Sequence, residues 1–273
     1  ELFLNNNKDG ISLIGKIRLA YRQFGFRGLY ERLWYGALDT LRFYDAQAYV
    51  RNTILKPSRD FQGWLSSHNQ KALEKTVRQY ARKNMRILEI GSWKGLSTSI
   101  LAKVAQENAG VVYCVDTWQG NEGAGGAHKQ ARARDVFSIF RSNMKILGFS
   151  GCVYPLYMNS ASAFEILKDD SFDVIFIDAD HRYNNVIADV RACLTKIKPG
   201  GVICGDDCEV YYNELPADFV TKNAGVDFAF YNAKGYHCGV IKALWDLWGT
   251  DYVLEKSEVT ESSASRFWWK ERK

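Results

Sequence analysis

The sequence has no uninterrupted apolar stretch near the roughly 20 residues that a membrane span needs. Its longest candidates, such as FDVIFIDAD over residues 172–180, are cut by acids after a few positions. No secretory leader is visible from Glu1 onward. The six cysteines include no CxxC pair, which suits a reducing compartment, and a cytoplasmic protein is expected. One loose zinc spacing remains, Cys204 and Cys208 with His237-Cys238. Cys204 lies inside a strand-like run, however, so ordinary buried thiols are the expectation. Internal repeats and low-complexity segments are also missing. What is present, 273 residues of which 47% are hydrophobic and 25% charged, suffices for one large core or a core with a smaller helical region.

The net charge of +5 is unevenly spread. Residues 1–59 hold ten Lys/Arg against five Asp/Glu, leaving 26 of each in the remainder. That basic segment carries apolar and aromatic residues at helical spacing, with Leu13, Ile17, Ala20 and Phe24 on one face and Leu33, Ala37, Leu41 and Tyr44 on another. Gly25 and Gly28 divide it into two helices. Pro57 and Ser58 are expected to end the second and cap a third, running through FQGWLSSHNQKALEKTVRQYARKN. A helical cap or lid with solvated charges accounts for this region. Peripheral membrane contact through the basic amphipathic helices, or contact with an acidic substrate, is the sharper use, and a homo-oligomer interface stands beside the cap reading.

From residue 86 the texture changes. Short β-branched runs (RILEIG, VVYCVD, CVYPLYM, FDVIFIDAD, GGVICGDD) alternate with helical stretches. The alternation predicts an α/β fold, a doubly wound and mostly parallel sheet of Rossmann-like type. The chain thus divides into an N-terminal helical region, 1–85, and an α/β domain, 86–273. Ligands of such sheets bind beyond the carboxyl ends of the strands. Each run here ends on a polar residue: Glu89, Asp116, Asn159, Asp178 and Asp206.

The first turn, Gly91-Ser92-Trp93-Lys94-Gly95, lacks the middle glycine of a dinucleotide fingerprint, and no Gly-Lys-Ser/Thr follows to make a P-loop. Glu89 beside it would repel a pyrophosphate but attract a cationic ligand. S-adenosylmethionine, with a sulfonium, an α-amino group and no phosphate, fits. Asp116 is then expected to accept both ribose hydroxyls, and Asn159 or Ser160 to meet the adenine edge. Ser92 and Ser160 would serve equally as helix caps.

The stretch from about Arg86 to Asp207 resembles the class I S-adenosylmethionine-dependent methyltransferases. Its E-I-G-x-x-x-G turn, VDTWQG, FIDADHRY and KPGGVICGDD are similar to those of small-molecule O-methyltransferases with a DADH motif, found among natural-product and sugar-modifying enzymes. YHCGVIKALWDLWG and RFWWKER look like that family's last helix and strands, which implies an antiparallel end strand. The resemblance implies a cofactor site of Glu89, Gly91, Ser92, Gly95, Asp116, Thr117, Trp118, Asn159, Ser160 and Asp178.

Asp178, Asp180, Asp206 and Asp207 fall at the ends of two strands expected to be adjacent. Gathering carboxylates without a counter-cation is costly, so either their pKa values rise or a metal sits among them. Oxygen-only ligands suit Mg²⁺, Ca²⁺ or Mn²⁺. The catechol and caffeoyl-CoA O-methyltransferases are similar in placing an acid after the fourth strand and an Asp-Asn pair after the fifth. This implies Asp178, Asp206 and Asp207 as ligands of a divalent cation, Mg²⁺ foremost, with Asp207 standing where those families have asparagine. His181 lies where the resembling enzymes place a basic side chain; its ordinary pKa near 6.5 suits proton abstraction. Asp178 and His181 are therefore the catalytic candidates. The glycine-rich segment WQGNEGAGGAHKQARARD reads as a lid, with His128 and Lys129 as weaker substrate contacts.

The expected function is metal-assisted O-methylation of a hydroxyl on a sugar, glycan precursor or other small molecule. A catalytically inactive binding or assembly module of the same fold is the rival. An NAD-dependent oxidoreductase is disfavoured by the missing glycine. A nucleic-acid partner is disfavoured because the amide-methylating N/DPPY motif is absent.

Overall fold

The computed structural model describes residues 63–120, 131, 135–255 and 265–273. The basic helices expected before residue 63, and most of the glycine-rich segment with His128 and Lys129, lie outside the described residues.

Helix α1 (Ser67–Gln79) begins later than the Ser58 cap predicts, because Ser66 supplies the N-cap, its side chain accepting from the Asn69 N–H at 3.1 Å. It is no detached cap. Leu73 and Val77 are fully buried in the same core as the sheet, each contributing about 1.5–3 kcal/mol by burial.

Beyond it the chain alternates as expected. Strands β1 (Arg86–Ile90), β2 (Val111–Asp116), β3 (Val153–Tyr157), β4 (Phe172–Ile177) and β5 (Ile197–Gly205) are separated by α2 (Leu96–Glu107), α3 (Val136–Ile146), α4 (Ser160–Ile166) and α5 (Tyr183–Lys196). Then come α6 (Ala217–Asn223), the hairpin β6 (Ala229–Tyr231) and β7 (Lys234–Tyr236), α7 (Cys238–Trp248), β8 (Val253–Leu254) and β9 (Trp268–Glu271). Seven strands form one sheet in the order β3-β2-β1-β4-β5-β9-β8. The first five are parallel; β9 runs antiparallel to β5, and β8 antiparallel to β9.

Strand periodicity explains the two-sided core. Leu88, Ile90, Ile175, Ile177 and Ile203 pack against α5 and α7. Their alternates Ile87, Val174, Phe176, Val202 and Cys204 pack with α1, α2 and α3. The chain order reverses between β1 and β4, and a crevice therefore opens at their carboxyl ends. Among the described residues, no helix is long and apolar enough to cross a membrane.

Candidate active site

A cavity of about 480 Å³ lies at that crevice, lined by the β1 turn (Gly91, Ser92, Trp93, Lys94), Asp116 of β2, Asp178 after β4, and His181, Asp207, Asp227 and His237. Its size suits a small organic ligand. Gly63, Trp64 and Leu65 complete the wall from the approach to α1.

Gly91 shapes the turn. Its φ is +92°, and a Cβ there would stand 2.0 Å from the Asp178 carbonyl oxygen. Only glycine lets the first turn pass this close to the end of β4. The turn is tied down by the Gly91 N–H donating to Val115 O (2.9 Å) and by Asn143 Nδ2 of α3 donating to Lys94 O (2.8 Å).

Asp116 faces the turn from β2. Its Oδ2 accepts the Trp93 N–H at 2.7 Å and its Oδ1 the Trp118 N–H at 2.6 Å. Burial raises its pKa, and these backbone bonds oppose the rise. Each carboxylate oxygen keeps a further lone pair for a ligand hydroxyl.

Glu89 departs from expectation. It is fully buried and does not line the cavity. Its carboxylate accepts Ser92 Oγ (2.8 Å), Ser97 Oγ (2.6 Å) and the Thr98 hydroxyl. It fastens the turn to the first turn of α2 from behind. Its side chain follows Ile87 onto the sheet face that α2 covers, as the period of two dictates. Burial raises its pKa against those three hydroxyl bonds.

Other anticipated cofactor residues are used structurally. Gly95, at φ +91°, ends the turn and starts α2. Thr117 Oγ1 accepts from the Gln119 N–H. Trp118 is buried between Phe137, Phe140 and Tyr157 and donates through Nε1 to Trp93 O. Asn159 caps α4, its side chain accepting from the Ser162 N–H at 2.8 Å, and Ser160 begins that helix. None of these five lines the cavity.

The β4 and β5 ends carry the chemistry. Asp180 is held by the Arg182 guanidinium, the Arg182 N–H and Asn185 Nδ2, so it anchors the DADH turn. Burial and the neighbouring Asp207 charge hold the Asp178 carboxyl well above the usual carboxylate range. Asp206 lies outside the cavity wall. Its Oδ1 takes three donors, Asn69 Nδ2 and Ser265 Oγ at 2.6 Å each and the Asp207 N–H at 2.8 Å. Burial, then the charge of Asp207, pushes Asp206 up to about 7. The anticipated trio Asp178, Asp206 and Asp207 is thus split between a cavity pair and a structural acceptor.

A different trio comes together. His181 Nδ1 bonds Asp227 Oδ1 at 2.8 Å, and its Nε2 lies 2.9 Å from Asp207 Oδ2. That second contact is an ion pair without hydrogen-bond alignment, leaving buried Nε2 without a hydrogen-bond partner among the described residues. His237 Nδ1 lies 2.7 Å from Glu209 Oε1 and 3.6 Å from Asp207 Oδ1, and the two imidazole centroids are 4.5 Å apart. Burial works against the His181 cation, but the Asp207 charge and the Asp227 bond outweigh it and raise its pKa well above the ordinary value. Burial likewise favours a neutral Asp207 carboxyl, and the charge of His181 overcomes it. Asp207 itself adopts φ 61°, a left-handed conformation that Asp tolerates better than most residues.

Asp227, Glu209 and the site role of His237 are not legible in the sequence. Asp227 sits in a loop without a motif, and His237 stands out only beside Cys238. The six cysteines are free and buried, and none joins a metal-sized group among the described residues.

Residues 88–208 match the family described as Methyltransferase domain. That span runs from β1 through the β5 end and contains Gly91, Asp116, Asp178, His181 and Asp207. An O-methyltransferase from Bacillus cereus, solved in complex with SAH, superimposes with a TM-score of 0.53 at 20% identity, covering 83% of this chain and 89% of that one. The O-methyltransferase TomG from Streptomyces achromogenes, involved in tomaymycin synthesis and solved with SAM, gives 0.54 at 15% identity over 85% and 90%. At these identities the likeness is one of fold, the Rossmann-like fold of class I methyltransferases. The protein y4gI of Sinorhizobium fredii is 29% identical over 133 residues. That alignment covers 48% of this chain and 14% of the relative's length.

Proposed function

We propose that the methyltransferase domain transfers the methyl group of S-adenosylmethionine to a hydroxyl oxygen of a small-molecule or saccharide acceptor. One observation carries this reading. The glycine turn and Asp116, suited to an adenosine, share a single cavity with Asp178, His181, Asp207 and His237, suited to handling a proton. The cofactor would lie along the β1 and β2 ends with its ribose hydroxyls on Asp116. The acceptor would enter beside Trp64 and the β6–β7 hairpin. Trp64 is 64% exposed at the cavity and Phe230 72% exposed on the hairpin, while Phe228 packs 4.9 Å from the His237 ring. Exposed ring faces of this kind suit stacking against a sugar or aromatic acceptor.

In the transfer, the acceptor oxygen attacks the methyl carbon in line. An O–CH₃ bond forms, the S–CH₃ bond breaks, and its electron pair converts the sulfonium to the neutral thioether of S-adenosylhomocysteine. The hydroxyl proton goes to a side chain of the cavity wall. Asp178, made more basic by burial, is the candidate acceptor, whereas His181, oriented by Asp227 and favoured as a cation beside Asp207, takes it only after losing its own proton. Fixing the acceptor oxygen against the methyl group supplies much of the acceleration in such a reaction.

Asp206, outside the cavity wall, engages its Oδ1 with Asn69 Nδ2, Ser265 Oγ and the Asp207 N–H, so the cavity itself presents two of the three carboxylates expected to hold an oxygen-only cation, Asp178 and Asp207. The reading is tested by incubating the protein with methyl-labelled S-adenosylmethionine and a panel of hydroxylated saccharides and phenols, with label transfer followed by mass spectrometry. Label appearing on a hydroxyl oxygen supports it. Tight cofactor binding with no transfer to any acceptor would favour the inactive-module alternative.

A further inference from the structure

We propose that His181, Asp207 and His237 form a binding site for a divalent transition-metal ion of the Zn²⁺, Fe²⁺ or Co²⁺ class, set in the acceptor side of the cavity. Each of the three offers one ligand atom, and these atoms lie within 4.8 Å of one another. Two imidazoles and a carboxylate make a nitrogen–oxygen set. Such a set suits Zn²⁺ and the later first-row ions and disfavours Mg²⁺, which prefers an all-oxygen octahedron.

The surroundings of the two rings point the same way. A metal-bound imidazole characteristically directs its other ring nitrogen at a carboxylate, which fixes the ring and raises its basicity. His181 does so with Asp227 at 2.8 Å, and His237 Nδ1 lies between Glu209 Oε1 at 2.7 Å and Asp207 Oδ1 at 3.6 Å. Glu209 also accepts the His237 N–H at 3.0 Å, so backbone and ring are held by one side chain. The ligand-side atom of His181, Nε2, is buried on the cavity wall and has no aligned hydrogen-bond partner among the described residues. An ion supplies what the Asp207 carboxylate alone does not, an acceptor for the Nε2 lone pair.

The fold brings these groups together from three separate places, the β4 end, the β5 end and the start of α7. Gly239 in the first turn of α7 allows the last of these approaches. A Cβ there would stand 2.1 Å from the His181 carbonyl oxygen, so a side chain would push His237 away from His181.

The ion's role in catalysis rests on the methyl-transfer reading; its binding does not. There it would acidify a coordinated acceptor hydroxyl. With Nε2 of His181 engaged as a ligand, the released proton would fall to Asp178.

The test uses untagged full-length protein, stripped with chelator and titrated with Zn²⁺ or Co²⁺ alone, with S-adenosylhomocysteine titrated separately into the same preparations. We expect one equivalent of Zn²⁺ per chain, with Mg²⁺ at least about 100-fold weaker. X-ray absorption of the Zn²⁺-loaded wild type should show two imidazole ligands. His237→Gln and Asp207→Asn should lose stoichiometric binding, and Asp227→Asn or Glu209→Gln should weaken it by about 10–100-fold. Asp178→Asn should leave Zn²⁺ affinity within about threefold. Wild-type protein that binds S-adenosylhomocysteine but no stoichiometric Zn²⁺, or that binds Zn²⁺ through oxygen ligands only, overturns the site. Neither result depends on a variant folding. Stoichiometric Zn²⁺ on two imidazoles without S-adenosylhomocysteine binding would uphold the site and count against the methyl-transfer reading alone.

Discussion

Replacing Glu89 separates two roles that a carboxylate beside a glycine turn can play. In the structure it accepts hydroxyl hydrogen bonds from Ser92, Ser97 and Thr98 and is fully buried behind the turn. In Glu89→Gln the amide oxygen can keep two of these bonds. The third hydroxyl can rotate to accept from the new NH₂ group. The variant also removes a charge whose burial already raises the pKa, so its stability should change by no more than about 1 kcal/mol. Glu89→Ala instead orphans three buried hydroxyls at about 1–3 kcal/mol each, a total of roughly 3–6 kcal/mol after partial relaxation. Urea denaturation at pH 7.5 measures both effects, and calorimetry with S-adenosylhomocysteine measures binding. The glutamine variant should bind within about threefold of wild type. Were Glu89 to hold a cationic group of the ligand, losing that charge-assisted bond would cost about 1.5–3 kcal/mol, tenfold to more than a hundredfold in affinity. A loss of that size in a stably folded Glu89→Gln protein would refute the placement.

Gly91→Ala should abolish S-adenosylhomocysteine binding and lower Tm by at least about 4 °C, since the left-handed backbone alone costs about 1–2 kcal/mol before the clash with Asp178 is counted; unchanged melting and binding would show that the turn can relax. Asp189, buried in α5, has its pKa raised from 3.8 to about 6, chiefly by burial. The folded state therefore favours its protonated form, and stability is lost as pH rises from about 4 through 6. Asp189→Asn should stabilise the protein by about 2–3 kcal/mol at pH 7.5 and by nothing near pH 3.5, as paired denaturation curves would show. The excess of ten Lys/Arg over five Asp/Glu in residues 1–59 should give binding to anionic vesicles that weakens with salt; no binding at low salt would leave a helical-cap or oligomer role for that segment.

The succession of strands along the chain and their ends were legible because burial on both sheet faces forces continuous apolar runs, as in Phe172–Ile177. The polar residue after each run could be read without knowing where its side chain points. Asp116 and Glu89 look alike in sequence, yet Asp116 meets the cavity while Glu89 turns behind it, a difference set by packing against α2. Asp206 and Asp207 are adjacent, and the left-handed backbone at Asp207 sends one carboxylate to Ser265 and Asn69 and the other to the histidines. Glu209 follows the β5 end, while Asp227 and His237 flank the β6–β7 hairpin. They reach the site only through the docking of α7, which no local pattern records.

In the proposed reading, the cavity at the β1–β4 crevice holds S-adenosylmethionine with its ribose on Asp116. Calorimetric titration of S-adenosylhomocysteine and NAD into wild type and Asp116→Ala tests it most directly, with circular dichroism checking the fold because Asp116 also holds the Trp93 and Trp118 N–H groups. Micromolar binding of S-adenosylhomocysteine, none of NAD, and at least a tenfold loss in the folded variant, the worth of one charge-assisted hydrogen bond, are expected. Equal affinity in wild type and folded Asp116→Ala, or binding of NAD in place of S-adenosylhomocysteine, would contradict it.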